Sequence, residues 1–342
     1  MKIALDAMGG DRAPAGIVDG AYEAVAEAGG KLEVVLIGKQ DVLKSYIAER
    51  GLSSPSVEII NASEVVEMSE SPATAIRRKK DSSISVAMRL HKEGKVEAVV
   101  SAGNTGAVVA SSLLQLGRLK GIDRPGIAIF VPAGGGGTVL LDGGANSDCN
   151  PKNILQFAVM GSVYSEIFHE KKNPTVGLLS IGEERSKGNQ LTRDSYELLE
   201  RSKINFVGNV EGRNVFGGDV DVVVTDGFVG NVILKFTESI FYYINDLIRS
   251  GIKIYPLAGL GALLMKPVFR RLKRKLDYAE YGGAPLLGIS GVVIICHGGS
   301  SARAIKNAIL GAERFVRVKI NDRIKEAAAE KVNLRAPAVD KE

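Results

Sequence analysis

The chain of 342 residues contains no tryptophan, two cysteines and three histidines. Cys149 and Cys296 make no disulfide framework and have no metal-ligand spacing. Cys296 closes the apolar run Val292–Cys296 and reads as a small core residue. His91, His169 and His297 form no cluster, so the expectation is a protein with no metal and no cofactor. His91 and His169 fall near the ends of predicted helices and are expected to be exposed. No apolar run is long enough to span a bilayer. The opening Met1–Asp6 enters a strand at once and lacks the apolar stretch of a signal peptide, so the expected setting is cytoplasmic. No strand leads into G-x-G-x-x-G, and no lysine follows a glycine-rich turn in the P-loop manner, which leaves no nucleotide fingerprint. A net charge of +5 is modest for this length and gives no reason to expect a nucleic-acid partner.

What is present is alternation. Strands are predicted at Lys2–Leu5, Leu32–Ile37, Val57–Ile60, Val96–Val100, Ile127–Val131, Thr138–Leu141, Val176–Ser180, Asp221–Thr225 and Val292–Cys296. Helical patterns fall at Ala15–Ala28, Gln40–Glu49, Ile84–Glu93, Thr105–Leu116, Pro151–Phe168, Leu191–Glu200, Asn231–Ser250 and Ser301–Arg317. The strands are apolar and β-branched, as strands covered on both faces are. This predicts an α/β fold, a doubly wound and mostly parallel sheet, as one elaborated domain over residues 1–342. Ile127–Val131 and Thr138–Leu141 are close enough in sequence for a hairpin.

Ligands of such sheets bind beyond the carboxyl ends of strands. Small polar residues and glycines follow strand after strand: 6–11, 101–106, 142–146, 182–189, 226–231 and 297–300. Their recurrence predicts a glycine-lined cleft along one edge of the sheet. The turn Gly103-Asn104-Thr105-Gly106 is the most informative of them. It joins a buried strand to a helix, whose first turn presents unpaired N–H groups and partial positive charge to an anion. The same residues also suit an ordinary capped turn.

Residues 257–276 need another explanation. An apolar arm containing Leu260, Leu263, Leu264 and Met265 leads into Lys266–Leu276, where six of eleven residues are basic. Pro267 favours a new helix start. The prediction is a protruding helical hairpin over 251–278. Cations beside an apolar tip suit an anionic membrane surface, with Lys266, Arg270, Arg271, Lys273 and Arg274 at lipid phosphates. A helix pair in the core, a dimer interface or the acidic surface of a carrier protein would use the same pattern.

With these turns in hand, the chain resembles the bacterial phosphate acyltransferases of phospholipid synthesis. The match covers nearly the whole length. It is carried by Asp6-Ala-Met-Gly-Gly-Asp11, Ser101–Gly106, Gly144-Ala-Asn146, Lys187-Gly-Asn189, Asp226-Gly-Phe-Val-Gly-Asn231, Tyr281–Gly288 and His297-Gly298, in that order and spacing. Asn214 stands where the family usually has an acidic residue and Val229 where threonine is frequent, so no chemistry is assigned at either. The resemblance implies an isocitrate-dehydrogenase-like or phosphotransacetylase-like fold and a homodimer. It implies transfer of a long-chain acyl group from acyl-(acyl carrier protein) to inorganic phosphate, with a glycerol-3-phosphate acyltransferase as a possible consumer of the product. Phosphate is already an anionic nucleophile, so no acyl-enzyme is required. Asn104, Thr105, Lys187 and His297 are then the catalytic candidates. Gly9, Gly10, Gly103, Gly106, Asn146, Asn189, Asn231, Gly282 and Gly283 are the substrate-binding candidates. For Asp6, Asp11, Asp142 and Asp226 the expectation is structural, because a carboxylate beside phosphate would repel it. The alternatives are a phosphotransacetylase using acyl-CoA, a dehydrogenase of the related fold, and a non-catalytic membrane scaffold.

Overall fold

The computed structural model describes residues 1–133, 136–254, 261–268 and 282–332. The chain opens with β1 (Lys2–Asp6), α1 (Ala15–Ala28), β2 (Glu33–Gly38), α2 (Gln40–Glu49) and β3 (Val57–Asn61). Next come α3 (Pro72–Arg78), α4 (Ser83–Lys92), β4 (Ala98–Ser101) and α5 (Thr105–Gln115). The hairpin β5 (Gly126–Val131) and β6 (Thr138–Leu141) precedes α6 (Pro151–Phe168), β7 (Val176–Leu179), α7 (Gln190–Glu200), β8 (Phe206–Val210), α8 (Gly212–Gly217) and β9 (Val222–Val224). A 28-residue helix, α9 (Gly227–Ile254), follows. The last described elements are β10 (Ala284–Leu287), β11 (Val293–Ile295), α10 (Ala302–Arg317) and α11 (Ile320–Lys331).

The strands form one 11-stranded sheet in the order β3-β2-β1-β4-β11-β10-β5-β6-β9-β7-β8. Successive side chains of a strand point to opposite faces. Ile3 and Leu5 of β1 therefore join the core beneath α1, α6 and α10, while Ala4 joins the core beneath α4 and α5. Val34 and Leu36 of β2 divide from Val35 and Ile37 in the same way. Both faces are covered, which is why these strands read as unbroken apolar runs. Local signals fix the helix starts. Pro151 stands in the first turn of α6, and Asn150 and Asn153 form a reciprocal capping box.

The prediction of one functional edge needs correction. β1, β2, β3, β4 and β11 run parallel to one another, as do β6, β7, β8 and β9. Between the groups lie the antiparallel pairings β11–β10, β10–β5 and β5–β6. An odd number of reversals turns the second group against the first. The strand-end turns thus sit at opposite ends of the sheet, and the two sets meet only around its antiparallel centre.

Candidate active site

A cavity of about 360 Å³ lies at that centre. The first strand group contributes Thr105 and Gly106 at the start of α5, and His297 after β11. The second contributes Gly143 and Gly144 after β6, and Asn231, Leu234, Lys235 and Glu238 on one face of α9. Ile127, Ile129, Phe130, Ile295, Cys296, Gly283, Ala284, Ser300 and Ala304 complete the lining. The wall is mostly apolar with a few polar groups, the usual make-up of a small-molecule site.

At the start of α5, Asn104 is the N-cap. Its Oδ1 accepts from the Ala107 N–H at 3.0 Å. Its Nδ2 donates to the carbonyls of Met68 at 3.0 Å and Glu70 at 3.2 Å. The expectation of an Asn104 amide offered to substrate is therefore corrected: both ends of the amide are committed to the fold. The side chain holds the helix start in place. The N–H groups of Thr105 and Gly106, in the first turn, have no intrahelical acceptor. Gly106 also has to be small, because a Cβ there would lie 2.5 Å from Pro72 Cγ.

His297 is exposed, and its Nδ1 accepts from the Gly299 N–H at 3.0 Å. A ring nitrogen that accepts an N–H carries no proton, so in the neutral ring the proton sits on Nε2. Fixing the tautomer makes the ring a donor at that atom. Loop 297–300 is locked to the turn after β1, where the Asp11 N–H donates to the Gly298 carbonyl at 2.8 Å. Gly10 makes that approach possible. Its φ is +95°, and a Cβ would lie 2.8 Å from Gly298 O.

The turn after β6 is built on Asp142, which is buried. Its Oδ1 accepts from the N–H groups of Ile127, Gly144 and Ala145 at 3.0, 3.1 and 2.9 Å. Its Oδ2 accepts from Asn146 N and Nδ2 at 2.9 and 2.8 Å. Burial pushes the Asp142 carboxyl up, and these donors oppose that rise. Asn146 Nδ2 also donates to the Pro125 carbonyl at 2.6 Å. Asn146 is thus a buried strut, contrary to its expected place at substrate. The start of α9 packs on this turn through Gly227, where a Cβ would lie 2.6 Å from Asn146 O. That contact places Asn231 beside Gly144 and into the cavity lining.

The remaining candidates divide. Gly283 lines the cavity, whereas Gly9, Gly10, Gly103 and Gly282 hold backbones close together beside it. Asn189 is the N-cap of α7, accepting from Thr192 N at 2.9 Å. Lys187 is exposed and outside the cavity lining. Leu263, Leu264, Met265 and Lys266 are exposed on a helical segment, while Leu260, Arg270, Arg271, Lys273 and Arg274 lie outside the described residues. His91 is half-buried, not exposed. Its Nδ1 bonds the Val96 carbonyl at 2.9 Å and its Nε2 accepts from Val292 N–H at 3.0 Å, while burial pulls its pKa down. His169 also departs from the exposed reading, stacking on Phe130 at 4.3 Å. Cys296 lines the cavity, but burial pushes its thiol up to about 12, and burial does the same to Cys149. Neither sulfur is a thiolate at neutral pH, so neither is a ready nucleophile. The sequence alone does not single out Lys235 and Glu238, which carry no motif and reach the cavity through helix phase, and it marks Ser300 only as the end of the turn 297–300.

The fold is that of the phosphotransacetylases. A phosphotransacetylase from Streptococcus pyogenes superposes with a TM-score of 0.58 at 18% identity, covering 92% of this chain and 94% of the other. One from Staphylococcus aureus gives 0.56 at 16% identity, again over 92% and 94%. Fold and cavity together define a doubly wound α/β protein with a small-molecule cavity at the centre of its sheet. The chain belongs to the family described as fatty acid synthesis protein, whose model matches residues 1–323. A phosphate acyltransferase from Heliobacterium modesticaldum is 54% identical over 317 residues, 92% of this chain and 94% of that protein. One from Syntrophotalea carbinolica is 52% identical over 322 residues, 94% and 92%. The chain is an acyl-transferring enzyme of fatty acid and lipid synthesis.

Proposed function

We propose that this enzyme moves a long-chain fatty acyl group from acyl-(acyl carrier protein) to inorganic phosphate, giving acyl-phosphate for phospholipid synthesis. One observation carries the reading. A single cavity joins an apolar wall to the open N–H groups of a helix start and a histidine of fixed tautomer, while its only cysteine among the described residues is held neutral. The apolar wall suits the acyl chain. The first turn of α5, with the Thr105 hydroxyl, suits phosphate or the developing oxyanion. Asn231 is a neutral donor that adds no repulsion to the phosphate.

In this mechanism a phosphate oxygen attacks the thioester carbonyl carbon. The new O–C bond forms, the C–S bond breaks, and its electron pair leaves on sulfur. His297 Nε2–H donates to the oxyanion or to the departing sulfur. Holding phosphate against the carbonyl supplies most of the advantage, because thiolate is a good leaving group. Lys187, on the exposed loop after β7, attracts the anionic acceptor. No metal ion or organic cofactor enters the scheme.

We read the exposed apolar stripe of α9, with Phe228, Val232, Phe236, Ile240, Ile244 and Leu247, as the face that a second copy covers in a homodimer. The exposed Leu263 and Leu264 (64% and 83%) support the membrane role of 251–278 as a hairpin extending from a single domain. No helix among the described residues is long and apolar enough to cross a membrane, so contact would be peripheral. An acyl-phosphate made at the bilayer has a short path to the next acyltransferase.

The test is incubation with palmitoyl-(acyl carrier protein) and phosphate, with hydroxylamine trapping of the product. Phosphate-dependent formation of the hydroxamate is expected. Activity confined to acetyl-CoA would instead favour a phosphotransacetylase. For the membrane role, Leu263→Glu with Leu264→Glu should abolish co-sedimentation with anionic liposomes. Undiminished co-sedimentation would rule out that role.

A further inference from the structure

Ser300 is 1% exposed, and its Oγ is buried without a hydrogen-bond partner. A buried hydroxyl left unpaired is costly and uncommon in folded chains. The residue lines the cavity, yet its side chain does nothing for the fold around it. Its backbone N–H is used, donating to the His297 carbonyl at 2.9 Å. Helix capping is done by the next residue. Ser301 is the N-cap of α10, and its Oγ accepts from the Ala304 N–H at 3.3 Å.

The surroundings suit an anion. α10 is 16 residues long, and its N-terminal end carries partial positive charge. Ala304, in its first turn, lines the same cavity as Ser300. The carboxylate in the lining, Glu238, is paired with Lys235 at 3.0 Å and so brings no uncompensated charge. A serine hydroxyl can change rotamer about Cα–Cβ without any backbone shift. It can therefore turn toward an anion arriving in the cavity.

We propose that Ser300 is a phosphate-positioning residue, its hydroxyl donating to an oxygen of the acceptor phosphate at the N-terminus of α10. This rests on phosphate being the acyl acceptor. Two helix starts, those of α5 and α10, then border one cavity from the same strand group. The hydroxyl contact is made to phosphate before and during attack, so its loss weakens phosphate binding more than turnover.

The experiment is a phosphate titration of Ser300→Ala and Ser300→Cys against the wild type, with thermal melting of each. The expected result for Ser300→Ala is a phosphate KM raised about tenfold, kcat within about twofold and an unchanged KM for the acyl donor. Its melting temperature should equal or exceed that of the wild type, because an unpaired buried polar atom has been removed. Ser300→Cys keeps the shape with a poorer donor and should fall between the two. An unchanged phosphate KM overturns the proposal, as does a lowered melting temperature with equal losses in kcat and both KM values. Should Ser300→Ala fail to fold, the Ser300→Cys titration decides by the same criterion. Wild-type enzyme run alongside isolates the other failure. If its thiol release does not depend on phosphate, it is the acceptor assignment that falls.

Discussion

Two loops border the cavity, and they are built on opposite plans. In the turn after β6, the Asp142 carboxylate gathers the N–H groups of Ile127, Gly144, Ala145 and Asn146 together with the Asn146 amide. Its donors and acceptors are matched internally. In the loop after β11, His297 is exposed with a fixed tautomer and Ser300 keeps a hydroxyl without a partner. The first loop supplies shape. In the second, the Ser300 hydroxyl is left with hydrogen-bonding capacity for something that is not protein. Small polar residues at strand ends are therefore not equivalent, and the completeness of their internal bonding separates scaffold from site.

The largest expected effect breaks the first loop. Asp142→Ala strands several buried N–H groups at once, so it should cost about 4 kcal/mol or more of stability in urea unfolding. A loss below about 1 kcal/mol would show that the turn does not depend on the carboxylate. In the second loop, His297→Ala should leave the melting temperature close to wild type while lowering kcat about a hundredfold, the effect of losing a positioned proton donor. If turnover across a full pH profile is unaltered, His297 is only a loop residue. Lys187→Ala should raise the phosphate KM several-fold with kcat little changed, and the effect should shrink with added salt. A loss confined to kcat would place Lys187 at the reacting atoms instead.

The smallest effect concerns pH. His169 Nε2 is buried without a partner, and burial, with Arg314 and Lys171 adding to it and Asp221 opposing, pulls its pKa from 6.5 to about 4. The folded state keeps this ring neutral, whereas the unfolded chain protonates it near 6.5. The stability it contributes is thus present above pH 6.5 and lost as pH falls toward 4. His169→Gln should flatten that part of a melting-temperature profile. Parallel profiles for variant and wild type would contradict the assignment.

Much of this was legible in the residues. The helical patterns matched the bounds of α1, α2 and α6 to the residue. Four described elements before α10 were missed, each for a local reason. β10 contains Pro285, which argues against a strand, yet it pairs at the antiparallel centre. β8 is an edge strand with Gly208 at φ +99° and a register shift against β7. α3 and α8 are too short for their periodicity to register. The reversal of strand direction leaves no mark on periodicity at all, so the cleft's turns looked like one edge. Thr105, Gly106, Asn231, Gly283 and His297 line the cavity, and each belongs to a run of glycine and small polar residues that marks a turn beside a strand. Asn104, Asn146 and Asn189 stand in such runs too and turned out to be caps and struts. Asn104 and Asn146 bond carbonyls distant in sequence, those of Met68 and Pro125, whereas Asn189 caps α7 through Thr192, three residues on.

The central step is direct attack by phosphate in a cavity whose described cysteine, Cys296, is held neutral by burial. The most direct measurement is intact-protein mass spectrometry of the enzyme mixed with palmitoyl-(acyl carrier protein) in phosphate-free buffer, followed by addition of phosphate. The account predicts no acylated enzyme before phosphate is added, and release of the carrier thiol together with acyl-phosphate afterwards. An acyl adduct on Cys296 or any other residue that forms without phosphate and is discharged by it would contradict the account.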